Sequence, residues 1–132
     1  VRPTQAQYQI NSITDDQIAL LVSEKVITPG VEASLKQVLT RKAEMARLSN
    51  EMAARQTEID QIARDQDRVR ENMRTLKGSS EERQLLQRYV KQLDEQENRI
   101  AVLRRELQTL TADRQKAQEE LNKFIEGLGG EV

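Results

Sequence analysis

The chain has 132 residues, of which 33% are charged, 36% are hydrophobic and only 2% are aromatic. This composition is too polar for a compact globule, but it is typical of long helices whose apolar residues are periodic. Lysine and arginine total 21 against 22 for aspartate and glutamate, with the signs interspersed, so no global field attracts nucleic acid or anionic lipid.

The residue types that are missing exclude several kinds of chemistry. The sequence contains no cysteine and no histidine, which excludes disulfides, imidazole bases and thiolate or imidazole metal sites. No apolar run reaches the roughly 20 residues that a membrane span needs. The chain begins with Val1 rather than Met, so we expect it to belong to a longer protein.

The first part of the chain predicts a lead-in and then a short helix. Residues 1–13 are polar and aperiodic, as in a linker. Residues 14–27 predict a helix that is capped by Thr14 and carries Ile18, Leu21 and Val22 on one face. We expect this helix to pack on apolar residues at the open end of the structure described next, namely Val31, Leu35 and Phe124.

A long helix follows, with Pro29 at its first position, where the missing N–H costs nothing. Apolar residues recur along it at alternating steps of three and four, the heptad spacing of a coiled coil. This seam comprises Val38, Arg41, Met45, Leu48, Met52, Arg55, Ile59, Ile62, Gln66, Val69, Met73 and Leu76. Val31 and Leu35 fit the same seam only if the repeat skips once near Val38.

A second long helix shows the same heptad spacing without a skip. Its seam comprises Leu86, Tyr89, Leu93, Gln96, Ile100, Leu103, Leu107, Leu110, Arg114, Ala117, Leu121, Phe124 and Leu128. At about 1.5 Å per residue each long helix would span roughly 70 Å. Gly127 predicts the end of this helix, and residues 129–132 predict a frayed tail.

The segment TLKGSSEER separates the two long helices and predicts a hairpin tip at residues 77–80. Gly78 is predicted to be the left-handed residue that directly follows the first helix, and Ser79 with Glu82 forms a capping box for the second. A loop this short makes the helices antiparallel. The predicted pairs are Met73 with Leu86, Ile59 with Ile100, Met52 with Leu107, Val38 with Leu121, and Leu35 with Phe124.

The predicted fold is therefore all-α: a long antiparallel coiled-coil helical hairpin over residues 28–128, with the short N-terminal helix packed at its open end. Five seam positions are polar, and we interpret them as specifying the pairing or lying in a wet seam: Arg41, Arg55, Gln66, Gln96 and Arg114. Acidic residues four positions before a basic residue predict stabilising pairs along the outer faces, namely Glu51 with Arg55, Asp60 with Arg64, Glu95 with Arg99, and Glu119 with Lys123.

We predict no enzymatic activity for this chain. Neighbouring carboxylates such as Asp15 and Asp16 lack a pocket that would separate their pKa values. Ser79 and Ser80 lack a histidine or lysine partner, and capping accounts for them. We expect no cofactor, no metal and no small-molecule substrate.

The tip is the candidate interaction site, comprising Arg70, Arg74, Lys77, Gly78, Ser79 and Ser80. Over residues 64–88 basic residues outnumber acidic ones by seven to five, so an alternative hypothesis is a nucleic-acid-binding helical arm. A third hypothesis is a periplasmic adaptor hairpin, although Arg70, Leu76 and Ser80 lack the seven-residue spacing typical of such tips.

The stretch RENMRTLKGSSEERQLLQRYVKQLDEQENRIAVLR resembles the helical coiled-coil region of a family of uncharacterised, often exported bacterial proteins, a domain of unknown function. The likeness is close at the tip and extends loosely over residues 15–124. It is carried by Arg70, Glu71, Asn72, Arg88, Tyr89, Leu93, Gln96 and Glu97. The resemblance implies a helical hairpin attached to a mostly β-structured portion, with no known activity, and it favours a periplasmic or exported location.

The expected function is that of a structural or protein-interaction arm, a coiled-coil spacer within a larger protein. We expect a protein partner or self-association rather than nucleic acid. Self-association is suggested by apolar positions beside the seam: Leu39, Ala43, Ala46, Ala53, Val90, Ala101 and Val102.

Overall fold

The computed structural model describes residues 29–128. The predicted lead-in at 1–13, short helix at 14–27 and tail at 129–132 lie outside this range. The described residues form helix α1, Pro29–Arg74, and helix α2, Ser80–Leu128, and contain no strand. The two helices pack against each other, which confirms the all-α helical hairpin.

Charged residues at the helix ends suit the helix dipoles. Glu32 lies in the first turn of α1 and Arg74 in its last turn, while Glu81 and Glu82 lie in the first turn of α2. Acidic groups near an amino end and basic groups near a carboxyl end each stabilise a helix by about 0.3 to 1 kcal/mol. Gly127 lies inside α2 and does not end it, contrary to the prediction, because the helix continues through Leu128.

The contacts divide the hairpin into two compact units, each built from a part of both helices. The first unit holds the described residues up to Ser49 and those from Ala112 onward, and the second is Asn50–Thr111.

The first unit has an apolar core. One cluster of buried residues consists of Leu35, Val38, Leu121, Ile125 and Leu128, with Val31, Leu39, Met45 and Phe124 packed around them; Leu48 is buried in the same unit. The predicted partners Val38 and Leu121 lie in this one cluster, as do Leu35 and Phe124. Ile125 is only 1% exposed although the predicted seam omits it, so the apolar face here is broader than a strict heptad seam.

Arg114 is the seam position of the first unit that is exposed. Its Nε donates a hydrogen bond of 2.7 Å to Ser49 Oγ on the opposite helix. The long side chain leaves the seam and binds a polar group at its edge, as expected for an arginine whose charge must stay hydrated.

The second unit has a narrower core. Its buried apolar residues all occupy predicted seam positions: Ile59, Val69, Ile100 and Leu103. Leu86 is 38% exposed, so it is not the buried seam position that the heptad spacing predicted. Leu85 is half-buried instead, because the inward face at the start of α2 runs through Glu82, Leu85 and Tyr89.

Ion pairs across the helices agree with the predicted register. In the second unit Arg99 donates to both carboxylate oxygens of Glu58, at 2.7 and 3.1 Å, rather than pairing with Glu95. Arg55 Nε lies 3.6 Å from Glu106 Oε2. In the first unit Arg41 lies 3.9 Å from Glu120 and its guanidinium stacks over the Phe124 ring at 5.1 Å.

Candidate interaction site at the hairpin tip

The tip begins where the last turn of α1 tightens. The Thr75 amide donates to the Asn72 carbonyl at 3.3 Å, and the Leu76 amide donates to the Met73 carbonyl at 3.2 Å. The Thr75 hydroxyl adds a 2.8 Å bond to the Asn72 carbonyl. These bonds, each from a residue to the carbonyl three positions earlier, satisfy carbonyl groups that the end of an α-helix otherwise leaves without partners.

Gly78 reverses the chain direction. Its φ of +92° lies in a region that side chains rarely adopt, which confirms the predicted positive φ. Its predicted place directly after the helix is wrong, since α1 ends at Arg74 and residues 75–77 intervene. The short-range bonds of Thr75 and Leu76 end the helix before the glycine is reached.

Ser79 and Glu82 form the capping box that the sequence predicted. The Glu82 amide donates to Ser79 Oγ at 3.2 Å, and the Ser79 amide donates to Glu82 Oε1 at 3.1 Å. The first backbone bond of α2 joins the Arg83 amide to the Ser79 carbonyl at 2.9 Å. Arg83 also covers the turn from outside, since its Nε donates to the Gly78 carbonyl at 3.1 Å.

Glu82 has a second role that the capping-box pattern does not show. Its Oε2 accepts a 2.8 Å bond from the Lys77 amide, so one carboxylate binds the backbone on both sides of Gly78. Hydrogen bonds from the Lys77 amide, and then from Ser79, hold the pKa of Glu82 below its ordinary value. The ionised side chain therefore fixes the turn.

The basic residues near the tip are matched by acids one helical turn earlier. Arg70 lies 3.6 Å from Asp67, and Arg74 lies 3.0 Å from Glu71. All six predicted site residues are exposed, but they do not converge on one pocket: the Ser79 side chain is engaged in the cap, and Arg70 and Arg74 are in local ion pairs. Tyr89, the aromatic residue nearest the tip, is half-buried and its hydroxyl accepts a 3.4 Å bond from Asn72.

An exposed apolar pair on α2 follows the tip; Val90 was predicted to lie beside the seam, whereas Leu86 was predicted to lie in it. Leu86 is 38% exposed and Val90 is 52% exposed, and both line a shallow groove with Gln87, Lys91 and Asp94. The sequence signal was present, because Leu85 and Leu86 are adjacent and only one of them can face the opposite helix.

A polar layer joins the two helices in the second unit; it consists of Asp65, Gln66, Gln92, Gln96 and Glu97, and of these five residues Gln66 is the buried one. Asp65 Oδ2 accepts bonds from the side-chain amides of Gln92, at 3.0 Å, and Gln96, at 2.6 Å. The Gln66 amide, on a side chain only 4% exposed, donates to Glu97 at 2.8 Å. The seam predicted from the sequence includes Gln66 and Gln96 but does not include Asp65.

Asp65 is also held from its own helix, because Arg68 Nε donates to Oδ1 at 2.9 Å. The bond from Arg68, followed by the bond from Gln96, lowers the pKa of Asp65. Gln96 Oε1 is buried and has no hydrogen-bond partner. The polar layer is thus bonded between the helices, with one acceptor left unsatisfied.

Among the described residues, no group of three or more acidic side chains is placed to hold a metal ion. Neither α1 nor α2 is long and apolar enough to cross a membrane. Comparisons with protein-family models, with curated proteins and with solved structures found no match.

Proposed function

We propose that the chain is a structural or protein-interaction arm, a coiled-coil spacer that presents its tip at a distance from the rest of a larger protein. The observation that carries this proposal is the hydrogen bonding of the tip. The turn is held by Gly78, Ser79 and Glu82 through bonds that involve the backbone on both sides of the glycine. A turn held in this way presents one fixed conformation to a partner.

The burial pattern supports the coiled-coil part of the proposal. Every predicted seam position of α1 is buried or half-buried, from Val38 to Leu76, and so are most of those of α2. Heptad-spaced side chains that are mostly shielded from solvent are typical of two helices packed along a common seam. Near the tip Ser79 and Glu82 form the cap and Arg70 and Arg74 form local ion pairs, which supports a role without catalysis.

The proposed partner is a protein, and the tip is the surface that contacts it. A photoreactive residue at Lys77 or Ser80, expressed in the source cell, should yield a crosslinked product of discrete mass. The matched control is the same residue at Arg105, which is exposed on α2 but lies away from the tip. Crosslinks of equal yield at both places, or none at the tip, would contradict the proposal.

Self-association is the second part of the proposal. Ala43, Ala46, Ala53, Val90 and Ala101 are exposed beside the seam and are therefore accessible to a second copy. Light scattering of the purified chain should give a mass that rises with protein concentration toward the dimer. A strict monomer at the highest soluble concentration would remove this part and leave the spacer role in place.

A further inference from the structure

The polar layer is the feature of the second unit that an apolar seam does not explain. Apolar residues occupy the seam on either side of it, with Ile59 and Ile62 before it and Val69 after it along α1. Replacing a buried polar group by a well-packed apolar residue often stabilises a protein, so we expect the buried Gln66 to cost stability.

The competing structures of a heptad hairpin are slipped registers. Because both seams repeat every seven residues, a slip of α2 by one heptad still brings apolar residues opposite apolar residues. In the structure Asp65 accepts from Gln92 and Gln96. One heptad along the chain from these glutamines stand Arg99 and Leu103, and one heptad before them stand Leu85 and Tyr89.

A slip in either direction removes both amide donors from Asp65, although one of the two slips brings Arg99, a charged donor, in their place. It also removes the acceptor of Gln66, since the residues one heptad from Glu97 are Arg104 and Val90. Gln66 is only 4% exposed, and a buried polar group without a partner costs about 1 to 3 kcal/mol; the Asp65 side chain is 37% exposed and can be hydrated. Only the observed register gives both Asp65 and Gln66 their cross-helix hydrogen bonds.

We infer that the polar layer is a register lock: it selects one antiparallel pairing of α1 and α2 against pairings displaced by a heptad, at the expense of stability. The tight turn at Gly78 also restrains the register. Inserting seven flexible Gly/Ser residues between Lys77 and Gly78 removes the restraint that the turn places on the register. Any remaining preference for one register then comes from the helices, including the polar layer.

The register can be measured directly because the chain contains no cysteine. Cysteines at Ala63 and Gln84, which are exposed in the second unit, carry spin labels whose separation is read by pulsed electron resonance. These sites are offset along the hairpin, so a one-heptad slip changes the distance by about 10 Å. Dilution with unlabelled chain removes distances between copies.

With the lengthened loop, the unchanged polar layer should give one distance. The triple variant Asp65→Leu, Gln66→Leu and Gln96→Leu should have a higher thermal midpoint and a second distance about 10 Å from the first, in at least about a tenth of the molecules. Because apolar replacements favour folding, loss of the fold is not the expected result.

The matched control removes a different cross-helix polar contact, the ion pair of Glu58 and Arg99, by changing both residues to Gln. This control should keep the single distance. A single distance in the triple variant, or a second distance in the control as well, would overturn the register lock. A lower thermal midpoint of the triple variant together with one distance would also overturn it. The polar layer would then stabilise the hairpin without selecting its register.

Discussion

Ser79 contributes to stability through one hydroxyl at the start of α2. In Ser79→Ala the Glu82 amide loses its 3.2 Å partner, and the free energy of unfolding should fall by about 0.5 to 2 kcal/mol. Urea denaturation followed by circular dichroism measures this change. Ser80→Ala is the control and should change stability by only a few tenths of a kcal/mol, because the Ser80 side chain makes no capping bond. Equal losses for both variants would contradict the capping role.

Glu82 should make the stability of the hairpin depend on pH in a defined direction. Its pKa is lower in the folded chain than in the unfolded chain, so its stabilisation is fully present above the unfolded pKa. The stabilisation is lost as pH falls from the ordinary glutamate value through the lower folded value. Denaturation curves of the native chain and of Glu82→Gln should therefore differ at neutral pH and converge in acid. A difference that stays constant with pH would show that the charge is not involved.

The same substitution should have opposite effects at two glycines. Gly78→Ala places a side chain at a φ of +92° and should destabilise the hairpin by about 1 to 2 kcal/mol. Gly127→Ala lies inside α2, with no atom within 4 Å of the added carbon, and should stabilise the helix by about 0.5 kcal/mol. Thermal midpoints of the two variants compare the effects, and a loss of stability at both positions would mean that the positive φ is not the cause.

Burial along α2 predicts how much stability is lost when each of its leucines is replaced by alanine. Leu103 is fully buried, so Leu103→Ala should cost about 2 to 5 kcal/mol through lost burial and the cavity left behind. Leu86→Ala, at a position 38% exposed, should cost clearly less, about 1 kcal/mol, because part of this side chain stays in water in the folded hairpin. Both values follow from denaturant titration. Similar losses would show that Leu86 faces the seam after all, as the heptad pattern alone predicted.

The two helices, the turn and the capping box could be predicted because their signals are local. Heptad spacing, one interrupting glycine and the Ser79–Glu82 spacing each lie within a short stretch of sequence. The choice of Leu85 over Leu86 could not be predicted, because it depends on how α2 leaves the turn. Ile125 was missed since its burial reflects a broad apolar face rather than a heptad step.

The functional features depended even more on the three-dimensional arrangement. The bond from the Lys77 amide to Glu82 requires the exact path of the turn, which the spacing of the residues does not specify. Asp65 lies outside the seam in sequence, and its role appears only when Gln92 and Gln96 are brought opposite it. Which residues pair across the helices depends on the register of the two helices. The register results from many weak contacts, so no short stretch of the sequence determines it.

For the chain as a whole, ion pairs should matter little to stability. The charges nearly cancel, and side chains of the described ion pairs such as Arg74 with Glu71 are largely exposed. Exposed pairs contribute little and are screened by salt. Raising the salt concentration from about 0.05 to 1 M should therefore shift the thermal midpoint only slightly. A large fall would show that the ion pairs between the helices, such as Arg99 with Glu58, hold the hairpin together.

The hydrogen bonds of the tip have a practical consequence. The hydrogen bonds that shape the turn between Thr75 and Arg83 join residues of the same short segment. The segment includes Asn72 and Met73, whose carbonyls accept bonds from Thr75 and Leu76. A turn held by bonds among its own residues depends little on which side chains follow further along the two helices. We expect residues 72–83 to keep this path when they join two other antiparallel helices in a designed chain.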